Sequence, residues 1–134
     1  MSITVLLADD TPIMRTTIRH LLDAQPEIEL VGEAANFNQT VALTQALKPQ
    51  VVIFDLHMPN DNSRLTTAEV RISLQRSAAW ILAISVWNDD DARALARSFG
   101  ANTLLDKFRL DQELIPAVMN LAVGPTATAR SLFA

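Results

Sequence analysis

The sequence contains no cysteine, and that single absence removes a disulfide framework, a cysteine-ligated zinc site and a thiol nucleophile. Lysine is nearly as scarce: Lys48 and Lys107 stand alone among 11 basic residues. With a net charge of −4 and a pI near 5.0, the chain has no basic footprint for nucleic acid, so direct binding of nucleic acid by this domain is not expected. No apolar run approaches the roughly 18 residues of a membrane span. The start MSITVLLADD lacks the basic region and long apolar stretch of a secretory signal. A cytoplasmic location without membrane contact is the expectation.

What is present is a regular alternation. Short β-branched apolar runs at Ile3–Ala8, Ile28–Ala34, Val51–Phe54, Trp80–Ser85 and Thr103–Leu105 are separated by segments of helical spacing. Shared helical faces are expected for Ile13, Ile18, Leu21 and Leu22; for Val41, Leu43, Thr44 and Leu47; for Val70, Ile72 and Leu74; for Ala92, Leu95, Ala96 and Phe99; and for Leu114, Ile115, Val118 and Leu121. Pro116 falls early in the last helix if that helix starts near Asp111. The central strands are apolar on both faces, as when helices cover both sides of a parallel sheet. The pattern predicts an α/β chain of 134 residues, large enough for one domain and one core, in a flavodoxin-like, doubly wound, five-stranded parallel sheet of order 2-1-3-4-5 with five helices. The domain is placed at residues 1–123, and residues 124–134 are read as a frayed C-terminal tail.

The run VVIFDLHMPND ends a buried strand on a charge, Asp55. In a sheet of this order, ligands gather at the carboxyl ends of the strands between the first and third, where the order reverses. The first strand runs into Asp9 and Asp10, so three carboxylates converge there. Mutual repulsion makes such a cluster costly and a divalent cation welcome, and hard oxygen ligands favour Mg2+, which commonly also binds phosphate. The fourth strand ends in the hydroxyl of Ser85, and the fifth runs into Lys107, a point charge suited to phosphate.

Asp9–Asp10, the DLHMP segment, Ser85 and Lys107 together resemble the receiver domain of two-component response regulators in order and in type. Their separations also match: 45 residues from 10 to 55, 30 from 55 to 85 and 22 from 85 to 107. The resemblance runs from Thr4 to about Leu121, and VLLADDTPIMRTTIRHLLDAQPEIELVGEAAN is most similar to the NarL/FixJ subclass, whose members usually carry a C-terminal helix-turn-helix domain. The resemblance implies that Asp55 is the nucleophile that takes a phosphoryl group from a phosphohistidine. It implies that Asp10, Asp9, Asp55 and the backbone carbonyl of His57 hold Mg2+, that Lys107 balances charge on the phosphoryl oxygens, and that Ser85 hydrogen-bonds one of them. A histidine kinase or phosphotransfer protein would be the donor. Output would pass to a partner protein or to an output domain beyond these residues, and a homodimer is possible.

The chain departs from the family pattern at several positions. Leu104 stands where an aromatic switch residue is usual, so the switch positions are read as Ser85, Trp87 and Leu104, with Trp87 filling part of the space an aromatic would vacate or the coupling running through the backbone alone. Val86 replaces a small residue, Phe108 a common proline, and NDNSRLTT a glycine-bearing loop. The coupled face is expected at 92–99, 103–105 and 114–121. Two other readings stay open: a degenerate receiver acting as a phosphorylation-independent interaction module, and a small Mg2+-dependent phosphohydrolase. The phosphohydrolase usually has a carboxylate where His57 stands. The leading reading is a signalling switch rather than an enzyme with an external substrate. Taken singly, these residues mean less: Asp9–Asp10 is also a good helix start beside Thr11–Pro12, Asp89–Asp91 reads as the cap of the fourth helix, and His20 as a surface residue.

Overall fold

A computed structural model describes residues 2–58 and 64–123. Five strands, β1 (Ile3–Ala8), β2 (Ile28–Ala34), β3 (Val51–Asp55), β4 (Trp80–Ser85) and β5 (Thr103–Asp106), alternate with five helices, α1 (Pro12–Asp23), α2 (Phe37–Leu47), α3 (Thr67–Arg76), α4 (Asp90–Ser98) and α5 (Leu110–Ala122). The strands form one parallel sheet of order β2-β1-β3-β4-β5. This is the expected doubly wound topology. The β1–β2 register shifts between Val5 and Leu6, so Val5 pairs with Leu30 but Leu6 with Gly32.

Alternation along the strands builds two cores. Val5, Leu7, Val51, Ile53, Leu82 and Ile84 pack on the side of α1 and α5. Leu6, Ala8, Val52, Phe54, Ile81 and Ala83 pack on the side of α2, α3 and α4. Phe54 anchors the second core, with its ring 4.9 Å from Phe99 and 5.6 Å from Phe37. Burying a side chain of this size contributes about 1.5–3 kcal/mol.

Helix ends follow local chemistry. The Asn36, Thr66 and Asp89 side chains accept from the amides of Gln39, Glu69 and Ala92, capping α2, α3 and α4. Each cap contributes about 1 kcal/mol. The acidic run at 89–91 therefore starts α4 as expected. At its other end Gly100 adopts φ +80, its amide bonds Arg97 O and that of Ala101 bonds Ala96 O. This paired closure needs a residue at positive φ, which glycine supplies without a Cβ clash.

The helical faces need correction at three positions. Ile13, Leu47 and Ile72, expected to face inward, are 81%, 40% and 43% exposed. On α2 the buried positions are Thr40 and Thr44. Their hydroxyls donate to Asn36 O and Thr40 O, both at 2.7 Å, which satisfies the polar atoms inside the core. The last helix starts at Leu110, next to the expected Asp111. A 3-10 turn at Lys107–Arg109 leads directly into Leu110, so Pro116 is interior and not in the first turn. It lies on the exposed side together with Gln112, whose carbonyl loses its helical donor but can reach water. The tail, 124–134, and residues 60–63 of the NDNSRLTT segment lie outside the described residues.

Candidate phosphoacceptor site

Strand parity explains how the site is assembled. Asp9 continues the Val5, Leu7 series, Asp55 the Val51, Ile53 series and Lys107 the Thr103, Leu105 series, so all three project on the α1/α5 side of the sheet edge. Lys107 Nζ lies 2.9 Å from Asp9 Oδ2 and 3.1 Å from Asp55 Oδ2. Its contact with Asp55 is a hydrogen bond; that with Asp9 is a charge pairing without such alignment, so the buried Asp9 Oδ2 accepts no hydrogen bond. One oxygen from each of Asp9, Asp10 and Asp55 lies within 4.8 Å of the others, and all three residues are buried.

Neighbouring donors orient these carboxylates. The Thr11 amide and hydroxyl both donate to Asp9 Oδ1 at 2.9 Å, and Arg15 Nη1 donates to Asp9 O at 2.6 Å. The His57 amide donates to Asp55 Oδ1 at 3.1 Å. Burial is the largest influence on Asp55 and the charge on Asp9 adds to it; together they overcome Lys107 and the His57 amide and push the Asp55 carboxyl up to about 7. Burial works to lower the pKa of Lys107 but is outweighed by Asp9 and Asp55, so that pKa is raised.

A cleft of about 510 Å3 opens over these groups. It is lined by Asp10, Thr11, Asp55, Lys107 and the apolar flank of Val86 and Trp87. Trp87 is 53% exposed and stands edge-on to His57, with ring centroids 4.7 Å apart. His57 Nδ1 is buried without a partner. Ser85 is buried at the end of β4, where its Oγ accepts from the Trp87 amide at 3.0 Å. That bond uses the oxygen and leaves the hydroxyl proton available to donate. Leu104 belongs to a different groove, of about 560 Å3, that it shares with Arg93, Arg97 and Glu113.

The structure therefore brings Asp10, Asp55, Lys107, His57 and Trp87 to one cleft, holds the fully buried Asp9 against Lys107, places Ser85 beside the cleft and leaves Leu104 outside. Thr11 and Arg15 were missed as site residues. Thr11–Pro12 is a helix-start signal, and Thr11 does occupy the position before the first residue of α1, yet its side chain makes no cap and turns back to Asp9. The spacing of two between Asp9 and Thr11 is the usable signal, since side chains so placed bond readily around a turn.

The model of the response regulator receiver domain matches residues 5–119. The chain belongs to this family. It is 32% identical over 129 residues to the nitrate/nitrite response regulator protein NarL of Escherichia coli K12, covering 96% of the chain and 59% of that relative. It thus spans about three fifths of the relative's length. The signal receiver domain of the response regulator NarL from Mycobacterium tuberculosis superposes with a TM-score of 0.80 at 25% identity, covering 92% of this chain and 98% of that one. The response regulator domain of Thermotoga maritima CheB superposes at 0.77 with 23% identity over 93% of this chain and all of that one, a likeness of fold. Among the described residues, no helix is long and apolar enough to cross a membrane.

Proposed function

We propose that this receiver is a phosphoacceptor switch in which Asp55 takes a phosphoryl group from a phosphohistidine of a histidine kinase or phosphotransfer protein. The observation that carries the reading is the convergence of Asp9, Asp10 and Asp55 at the floor of one open cleft, with Lys107 bridging Asp9 and Asp55. A carboxylate oxygen of Asp55 would form the new P–O bond while the donor P–N bond breaks and its electron pair returns to the imidazole. Lys107 is placed to move from the carboxylates toward the phosphoryl oxygens, and the Ser85 proton is available to one of them. Catalysis of this kind is chiefly positioning and charge balance.

The oxygen donor set fits a hard divalent cation. Asp9, Asp10 and Asp55, with the His57 carbonyl, would hold Mg2+, and the close approach of one oxygen from each carboxylate supports that assignment. When bound, Mg2+ supplies positive charge against the phosphoryl oxygens and the clustered carboxylates. The deciding experiment is incubation with Mg2+ and acetyl phosphate followed by intact mass. A single adduct that maps to Asp55 is expected, and an unmodified mass would overturn the proposal. The domain is placed at residues 1–123 in the cytoplasm, with output through a partner protein or an output domain and no turnover of an external substrate.

A phosphorylation-independent module has one observation in its favour: Lys107 already bridges Asp9 and Asp55, so the acidic site is partly neutralised without metal. Metal binding separates the two readings. Because Trp87 lines the cleft, Mg2+ titration is expected to change its fluorescence in a Trp80→Phe background, and Asp10→Asn to remove the response. A normal titration in the Asp10→Asn protein would remove the metal assignment.

Chemistry and relay also separate by residue. Leu104→Ala is expected to leave phosphorylation nearly intact, since Leu104 lies outside the cleft. Trp87→Ala is expected to weaken the phosphorylation-induced change on the face of α4, β5 and α5, because it removes the ring that lines the cleft and packs edge-on against His57, two residues from Ser85. NMR shifts on that face, with and without a phosphoryl mimic, are the check; an undiminished response in Trp87→Ala would exclude Trp87 from the switch.

A further inference from the structure

An apolar groove of about 600 Å3 runs between α2 and α3, and nothing in the phosphoacceptor reading uses it. Pro49 and Ser77, at one end of it, precede β3 and β4, so that end lies at the sheet edge opposite Asp55 and Ser85. One large apolar side chain stands out of this surface, Ile72 at 43% exposure, with Val41 beside it on α2. Glu69, Ile72, Ser73 and Arg76 follow helical spacing and form one stripe along α3. The stripe is acidic at its start and basic at its end. Lys48, which closes α2 in a left-handed conformation, adds a second cation at the basic end. None of Lys48, Glu69 and Arg76 forms an ion pair with another described residue.

We infer that this stripe is the self-docking surface of a twofold homodimer in which the α3 helices of two copies lie antiparallel. The choice of a second copy rests on self-complementary charge. A twofold axis between Ile72 and Ser73 sets Glu69 of each copy against Arg76 of its partner, because 72 and 73 lie midway between 69 and 76. A parallel arrangement would set like charge against like. The antiparallel one also opposes the helix dipoles favourably. Ile72 lies across the axis from Ser73 of the second copy, Val41 extends the apolar patch, and the small Ser73 lets the backbones approach. A twofold contact requires such self-complementarity. The patch is smaller than a standard stable interface, so the association is weak, with a Kd on the order of 10–100 μM.

Sedimentation velocity of the full chain from about 5 to about 500 μM spans that range. The mass is expected to rise toward the dimer in the wild type and to stay monomeric in Ile72→Asp, a substitution at an exposed position. Glu69→Arg should weaken dimerisation about tenfold, and Glu69→Arg with Arg76→Glu should restore it to within about threefold of wild type. As the chain has no cysteine, Ser73→Cys provides a check that does not depend on charge variants. Mild oxidant should give a covalent dimer from Ser73→Cys and little from Thr16→Cys on α1. A monomeric wild type at every concentration overturns the inference. So does dimerisation that survives Ile72→Asp, a charge swap that fails to restore it, or equal cross-linking at positions 73 and 16, outcomes that include another surface or another occupant of the groove.

Discussion

Replacement of Asp55 by Asn is expected to abolish acyl-phosphate formation and, in the same protein, to raise the stability of the metal-free form by about 1–2 kcal/mol at pH 8. The two effects have one origin. A carboxylate positioned for attack is held in a buried site beside Asp9, and that environment raises its pKa from 3.8 to about 7. The sign follows from linkage: below about pH 4 the carboxyl is protonated in both folded and unfolded chains, and its contribution to stability is fully present. As pH rises from 4 through 7 the unfolded chain ionises freely while the folded one resists, so stability is lost across that window. The amide of Asn has no such penalty. The gain from Asp55→Asn should therefore be clear at pH 8 and much smaller at pH 5. Thermal melts in a chelator at both pH values are the measurement, with a shift of a few degrees expected at pH 8. Equal or lower stability of Asp55→Asn at pH 8 would mean that its hydrogen bonds to Lys107 and the His57 amide outweigh the cost of its burial.

Much of this arrangement is visible in the sequence because the sheet is simple. Alternating apolar runs locate all five strands, and only the charged last residues of β3 and β5, Asp55 and Asp106, are missed, since hydropathy stops where backbone pairing continues. Those extra residues are informative. The pairing of Asp55 with Ile84 shows that the proposed nucleophile is carried on the sheet itself rather than on a loose loop. Strand parity likewise sends Asp9, Asp55 and Lys107 to one side. Helix faces are less legible because a threonine can be buried once its hydroxyl bonds the preceding turn, as Thr40 and Thr44 do, while Ile72 and Leu47 remain outside. The Thr11 and Arg15 bonds to Asp9 depend on the path of the chain after β1, which no periodicity reports. The separation of Leu104 from Trp87 is also a three-dimensional fact: β5 carries Leu104 into a groove with α4 and α5, whereas the loop after β4 carries Trp87 over His57.

Lys107→Ala is expected to be the most destabilising single change at the site, and its cost should depend on pH and on Mg2+. The ammonium sits between two carboxylates, with only 10% of its side chain exposed. Removing one partner of a buried pairing leaves an uncompensated charge and costs about 3–5 kcal/mol when that charge cannot escape. Here it can, because Asp55 already resists ionisation; loss of Lys107 pushes its pKa higher still and lets it take up a proton. The cost at pH 8 is therefore about 2–4 kcal/mol, and it should fall at pH 5, where Asp55 is neutral with or without the lysine. Lys107 itself adds no slope to this window. Its raised pKa keeps it charged below 10.5, and its contribution is lost only as pH climbs beyond that value. A divalent cation in the cluster replaces the missing positive charge, so Mg2+ should raise the melting temperature of Lys107→Ala more than that of the wild type, in which the ammonium competes for the same oxygens. Lys107→Met, which keeps most of the stem, distinguishes charge from packing. If both variants lose the same stability at pH 5 and pH 8, and Mg2+ restores none of it, the lysine stem rather than its ammonium is what the fold requires. The Asp9–Lys107–Asp55 bridge would then not be the electrostatic centre of the site.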